Sequence, residues 1–144
     1  MKIQQKDLYH GAALTQLVEH DSFKALNKVD KKYGHYLVNT DRRLMVKLTE
    51  KVNPPWQFTF QPDDLANLRE DITAGYKTFV ILICGTKTIC LLPYADYSAV
   101  IDQNAVSPQW IRVEIPKTCM RVRGNSGELR RAVKHNAFPD KVFL

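Results

Sequence analysis

Apolar positions in this chain first recur at helical spacing and then switch to alternation. Between Asp7 and His20, Ala13, Leu14, Leu17 and Val18 fall on one helical face, which Tyr9 and His10 extend toward the start. Gly11 weakens such a helix by about 1 kcal/mol relative to Ala, so a close packing contact is expected there. Phe23 to Val29 alternates roughly. His35–Asn39 and Arg43–Thr49 flank the short polar connection Thr40-Asp41-Arg42, which suits a hairpin. In the second of these strands Leu44, Val46 and Leu48 point one way, and Arg43, Met45, Lys47 and Thr49 the other. After the turn Val52-Asn53-Pro54-Pro55, Trp56-Gln57-Phe58-Thr59-Phe60 alternates with three aromatics on one face. Pro62 suits the first turn of a helix, and Asp63 and Asp64 suit the positive end of its dipole. Leu65, Leu68 and Ile72 give that helix its apolar stripe.

Thr78 to Cys84 is nearly all apolar, as a strand covered on both faces must be. Gly85-Thr86-Lys87 turns it into a second strand, Thr88–Leu92, and a short helix follows over Tyr94–Asp102. Trp110–Ile115 and Cys119–Arg123 are further strands joined through Pro116-Lys117-Thr118. Gly124-Asn125-Ser126-Gly127 is then a loop, and a basic segment after it is expected to be helical through Lys134. The order predicts an α/β fold with a mixed β-sheet flanked by helices, and strands also in the C-terminal third. One domain over residues 1–144 is expected, with a core over about residues 7–103 and basic strands and tail over residues 109–144.

Composition narrows the class. The chain has 144 residues, 44% of them hydrophobic and 25% charged, the balance of one globular domain. Its longest apolar run, Phe79 to Cys84, is far below the roughly 20 residues of a membrane span. The opening Met-Lys-Ile-Gln-Gln-Lys-Asp has no apolar region like that of a signal peptide, so a cytoplasmic location without membrane attachment is expected. The three cysteines read as reduced thiols. Cys84-x5-Cys90 is not a usual zinc spacing, so no metal site is expected from them. The formal charge is +6. From Arg112 to Lys141 eight Lys/Arg face three acids (Glu114, Glu128, Asp140), so this stretch supplies +5 of it. Such a localised charge can be the footprint of a phosphate-bearing partner, and many small domains are equally basic without one.

A helix, a strand hairpin whose second strand ends in apolar-Lys, a further strand, a helix and a buried strand together resemble the restriction-endonuclease-like PD-(D/E)XK nucleases, nearest their Holliday-junction-resolvase-like branch. The resemblance covers roughly residues 7–92 and implies an α-β-β-β-α-β core. It further implies an acid on one strand and Glu/Gln-x-Lys on the next, holding a divalent metal and orienting the attacking water. Lys47 in Met45-Val46-Lys47 matches the family lysine. His35 in His35-Tyr36-Leu37-Val38 stands where the acid belongs, and Met45 where Glu or Gln belongs. The glutamate that many members carry in the first helix is also missing. Mg²⁺ requires hard oxygen ligands, and a thioether is a soft one. The resemblance as it stands here therefore implies a binding protein or regulator, with Mg²⁺ relevant only if acids such as Asp41, Glu50, Asp63 or Asp64 have taken over as ligands.

The candidate residues are thus Lys47 and His35, with His10 as a general base near Lys47 or else a packed histidine. For nucleic acid they are Arg121, Arg123, Gly124, Asn125, Ser126, Gly127, Arg130, Arg131 and Lys134. There a glycine-bearing loop could bring phosphate to backbone N–H groups beside a following helix, although a tight turn explains the glycines equally well. Trp56, Phe58 and Phe60 fit a core face better than a base-stacking platform. The leading expectation is a nucleic-acid-binding domain without catalysis, in DNA processing or defence. A protein-interaction module or accessory subunit, with a protein partner or as a homodimer, and a metal-dependent nuclease with relocated ligands are the alternatives.

Overall fold

The computed structural model describes residues 1–29 and 32–144. The first helix, α1, spans Gln5–Val18, and three strands follow: β1 (Leu26–Lys28), β2 (His35–Val38) and β3 (Arg42–Thr49). Next come β4 (Trp56–Phe60), α2 (Pro62–Thr73), β5 (Lys77–Cys84), β6 (Thr88–Pro93) and α3 (Tyr94–Val100). The last part holds β7 (Gln109–Glu114), β8 (Arg121–Gly124), β9 (Gly127–Glu128), α4 (Ala137–Asp140) and a 3-10 turn at Lys141–Phe143.

The described strands form two sheets. The first is mixed and five-stranded, in the order β1-β2-β3-β5-β6, with β3 and β5 its one parallel pair. The second is antiparallel, in the order β4-β7-β8-β9. Periodicity showed that one face of Trp56–Phe60 is buried but not against what. In the structure this strand leaves the first sheet and pairs with β7, so the layer beneath the first sheet is a second sheet together with α2 and α3. Trp56, Phe58 and Phe60 are all core residues.

Alternation along β3 divides the interior as its sequence predicts. Leu44 and Val46 pack with Ala13 and Leu17 of α1, with Ile81 and Ile83, and with Phe138 and Val142 of the C-terminal segment. Met45 turns to the opposite face, toward Phe58, Phe60, Leu65, Leu68 and Val80. β5 feeds both cores and is buried from Thr78 onward. The C-terminal residues belong to the first core rather than to a tail: Arg42 Nε donates to the Val142 carbonyl at 2.6 Å and Lys77 Nζ to that of Leu144 at 3.3 Å.

α2 lies antiparallel along β3, tied at both ends by ion pairs. Lys47 Nζ is 2.8 Å from Asp64 Oδ2, and Arg43 Nη1 is 3.6 Å from Asp71 Oδ1. The spacing explains the match. Seven residues of helix advance about 10 Å, and four residues of strand about 13 Å on one face. The Arg43 guanidinium also stacks 4.3 Å over the Tyr76 ring.

Three local expectations need correction. Gly11 has no close neighbour, since a Cβ built there meets nothing within 4 Å. Val18 is exposed, because α1 buries only His10, Ala13 and Leu17. Residues 129–134 are not helical: the chain bends at Arg130 and Arg131, and Met120 and Val133 exchange backbone hydrogen bonds of 3.0 and 2.8 Å as an isolated bridge. No helix among the described residues is long and apolar enough to cross a membrane.

The two glycines give opposite expectations. A Cβ on Gly124 would press on the Val100 carbonyl oxygen and lie 2.6 Å from that of Trp110. Gly124→Ala should therefore lower stability by about 1–3 kcal/mol, as overpacking does. Gly11→Ala should raise it by about 0.5–1 kcal/mol through helix propensity. Urea unfolding of both variants measures this, and equal midpoints would contradict it.

Candidate functional site

The pairing of β2 with β3 ends at His35 opposite Met45, followed by one hydrogen bond from Val46 N to Gly34 O at 2.8 Å. Gly34 has φ +74°, and a Cβ there would stand 2.6 Å from the Val46 carbonyl oxygen, so the close approach that closes the hairpin needs glycine. Beyond this point Lys47–Thr49 pair with Leu82–Cys84 of β5 on one side. On the other they face a cleft of about 550 Å³ that also takes in His10, Tyr33, Gln57, Thr59, Asp64 and Asn67.

His35, Met45 and Lys47 share one face, the last two by i, i+2 spacing and His35 as the cross-strand partner of Met45. Asp64 joins them. It is the third residue of α2, and its Oδ2 accepts both the Gln61 backbone N–H at 2.9 Å and the Lys47 ammonium at 2.8 Å. One carboxylate oxygen thus caps the helix and neutralises the lysine. Lys47 Nζ also lies 5.2 Å from the centre of the Phe60 ring.

Burial pulls the His35 pKa down; Asp64 works against that, and Lys32, Lys47 and Arg43 work with it. His10 is lowered as well, first by burial, with Asp7 opposing and Lys6 assisting. Its Nδ1 is 3.4 Å from the Tyr36 hydroxyl, its ring stands 5.0 Å from that of Tyr33, and its buried Nε2 has no partner among the described residues. His10 and Lys47 line the same cleft, but they enter it from opposite layers, His10 with α1 and Lys47 on the α2 side.

The donor set does not fit Mg²⁺. The described residues contain no group of three or more His, Cys, Asp or Glu able to hold a metal. Asp41 pairs with Arg42, while Glu50 and Asp63 are exposed and outside the cleft lining. Asp64, the one carboxylate present, already holds an ammonium. The three cysteines are free thiols, and burial raises Cys84 to about 12 and Cys90 well above its ordinary value.

The basic segment lies elsewhere. Arg121 binds its own chain: Nη2 donates to Leu129 O at 2.8 Å and approaches Glu128 Oε1 at 3.4 Å, and Nη1 donates to Arg130 O at 3.1 Å. Arg123 points outward from β8 and is exposed. Gly124 and Gly127 face each other across the β8–β9 turn. Within that turn Asn125 Oδ1 accepts from Trp110 N at 2.7 Å and Ser126 N donates to Val100 O at 2.9 Å. The loop is thus occupied by packing, and the helix expected after it is absent. Arg130, Arg131 and Lys134 instead line a second cleft, of about 730 Å³, together with Lys141, Asp96 and Glu128. The two clefts share no lining residue.

Compared with protein-family models, curated proteins and solved structures, the chain matches none.

The sequence offers Asp64 as a helix-start residue and as one of several acids that could stand in as metal ligands, but an acid after Pro62 looks the same whether or not it meets a lysine. Lys141 was counted in the basic stretch, but nothing in its position linked it to Arg130.

The histidines make stability depend on pH. Both folded pKa values lie below the ordinary 6.5. Below that value the unfolded chain therefore takes up protons that the folded one resists, and stability drops as pH falls. Urea unfolding should show a decline between about pH 7 and about pH 5, and His10→Gln/His35→Gln should flatten it. An unchanged slope in the double variant would contradict the assignment.

Proposed function

We propose that the protein is a nucleic-acid-binding domain of nuclease-like fold that does not perform the metal-dependent chemistry, acting in DNA processing or defence. The observation that carries this reading is the content of the cleft where β2 ends. Lys47, His35 and Met45 share one face there, and the single carboxylate among them is held by the lysine. Setting β4 aside as part of the second sheet, the order α1-β1-β2-β3-α2-β5 supports the resemblance to the PD-(D/E)XK superfamily. The net charge of +6 and the exposed cations of the last third support a polyanionic partner.

A metal-dependent nuclease with a relocated ligand is the second reading, favoured by the meeting of Asp64 with Lys47. Electrostatically driven binding falls steeply with salt, and cleavage leaves shortened products, so one set of measurements separates the two. Labelled single- and double-stranded DNA and RNA should bind at low salt, release as salt rises, and stay intact in Mg²⁺ or Mn²⁺. Absence of binding at low salt would overturn the first reading. Cleavage abolished by both Lys47→Ala and Asp64→Asn would establish the second.

A further inference from the structure

We infer that the cleft between α3 and the irregular segment of residues 128–134 is the seat of the nucleic-acid strand, and that it recognises phosphodiester groups irrespective of base. The inference rests on the nucleic-acid reading above and assigns it to one surface.

Charge comes first. Arg130, Arg131, Lys134 and Lys141 all line this cleft and are exposed, and none has an ion-pair partner among the described residues. Two acids oppose them, and one of these, Glu128, is already engaged by Arg121. Asp96, in the first turn of α3, is the one acid in the lining left to offset the four cations.

Order comes second. Arginines on a loose segment would lose conformational freedom on binding, which weakens association. Here the backbone that carries them is fixed beforehand. Leu129 N donates to Val122 O at 2.9 Å, Val133 is bridged to Met120, and Arg121 holds the carbonyls of Leu129 and Arg130. Arg121 is thus a positioning residue for the cations that follow it, not itself a phosphate ligand.

The lining chemistry decides what is read. Apart from the charged groups it consists of leucine, valine and alanine, with no aromatic side chain and no Asn or Gln. Bases are stacked on aromatics and read at their edges by amides or bidentate side chains. A cleft of about 730 Å³ without aromatic or amide side chains, but lined by two guanidinium and two ammonium groups, suits successive phosphates of a backbone. A single free phosphate would need donors converging on one point.

The test is fluorescence anisotropy with mixed-sequence duplex DNA and homopolymeric single strands over a salt series. For two to four phosphates neutralised on a duplex, log K should fall against log salt with a slope between about −2 and −4. Arg130→Glu/Arg131→Glu should bind at least about tenfold more weakly at low salt and make the slope shallower by about two. Asp96→Asn should bind about two- to threefold more tightly, a gain that a misfolded variant would not give. Homopolymers should differ little among themselves. If the unaltered protein binds and both variants match it in affinity and slope, this surface is wrong while the nucleic-acid reading stands. If the unaltered protein binds no oligonucleotide, both fall. A strong preference among homopolymers, displacement by inorganic phosphate at matched ionic strength, or binding to phosphatidylserine vesicles in place of oligonucleotides would each overturn the inference.

Discussion

β5 runs between both cores of the protein with its side chains withdrawn from solvent from Thr78 to Cys84. A strand in that position must be covered on both faces and paired on both edges, because an open edge would leave backbone groups without partners. α1 and the C-terminal segment cover one face, the second sheet with α2 and α3 covers the other, and β3 and β6 take the edges. The arrangement also accounts for the docked C-terminus. Phe138 and Val142 complete the cover that a single helix of 14 residues leaves open.

The parallel pairing of β3 with β5 has a further consequence. Parallel neighbours cannot be joined by a tight turn, so the chain must cross over the sheet and return. The crossover here is β4 followed by α2, and the helix runs back along β3. Asp64 and Asp71 therefore meet Lys47 and Arg43 in that order. Lys47 is accordingly placed by topology, and its charge is balanced by the element that the topology brings past it. The Lys47–Asp64 ion pair also caps the start of α2.

Much of this was legible in the residues. Alternation in Arg43–Thr49 separated the two cores correctly, and the unbroken apolar run at Thr78–Cys84 marked the central strand. Alternation cannot name the partner of a strand, and for that reason the second sheet was invisible: Trp56–Phe60 reads the same in either sheet. Leu129 and Val133, four apart, fit a helical face equally well, and the distant pairing of Met120 with Val133 decides the matter. Glycine was ambiguous in both directions. Gly11 sits in open space, whereas Gly124 fills a gap between two carbonyl groups that no local signal announced. The candidate residues His35, Met45 and Lys47 did come together, but the acid beside them depended on the path of the crossover. The basic residues proved to be of two kinds, since Arg121 serves the backbone while Arg130 and Arg131 are exposed and have no ion-pair partner among the described residues.

The two clefts therefore differ in kind, with an ion-paired lysine in one and, in the other, cations that have no ion-pair partner among the described residues. The most direct measurement of that difference is the change in backbone amide NMR resonances when duplex DNA is titrated in at low salt. The account predicts shifts confined to residues 128–134, the first turn of α3 and the neighbourhood of Lys141, with Lys47 and Asp64 unmoved. Shifts centred on Lys47, His35 and Asp64, or none at saturating DNA, would contradict it.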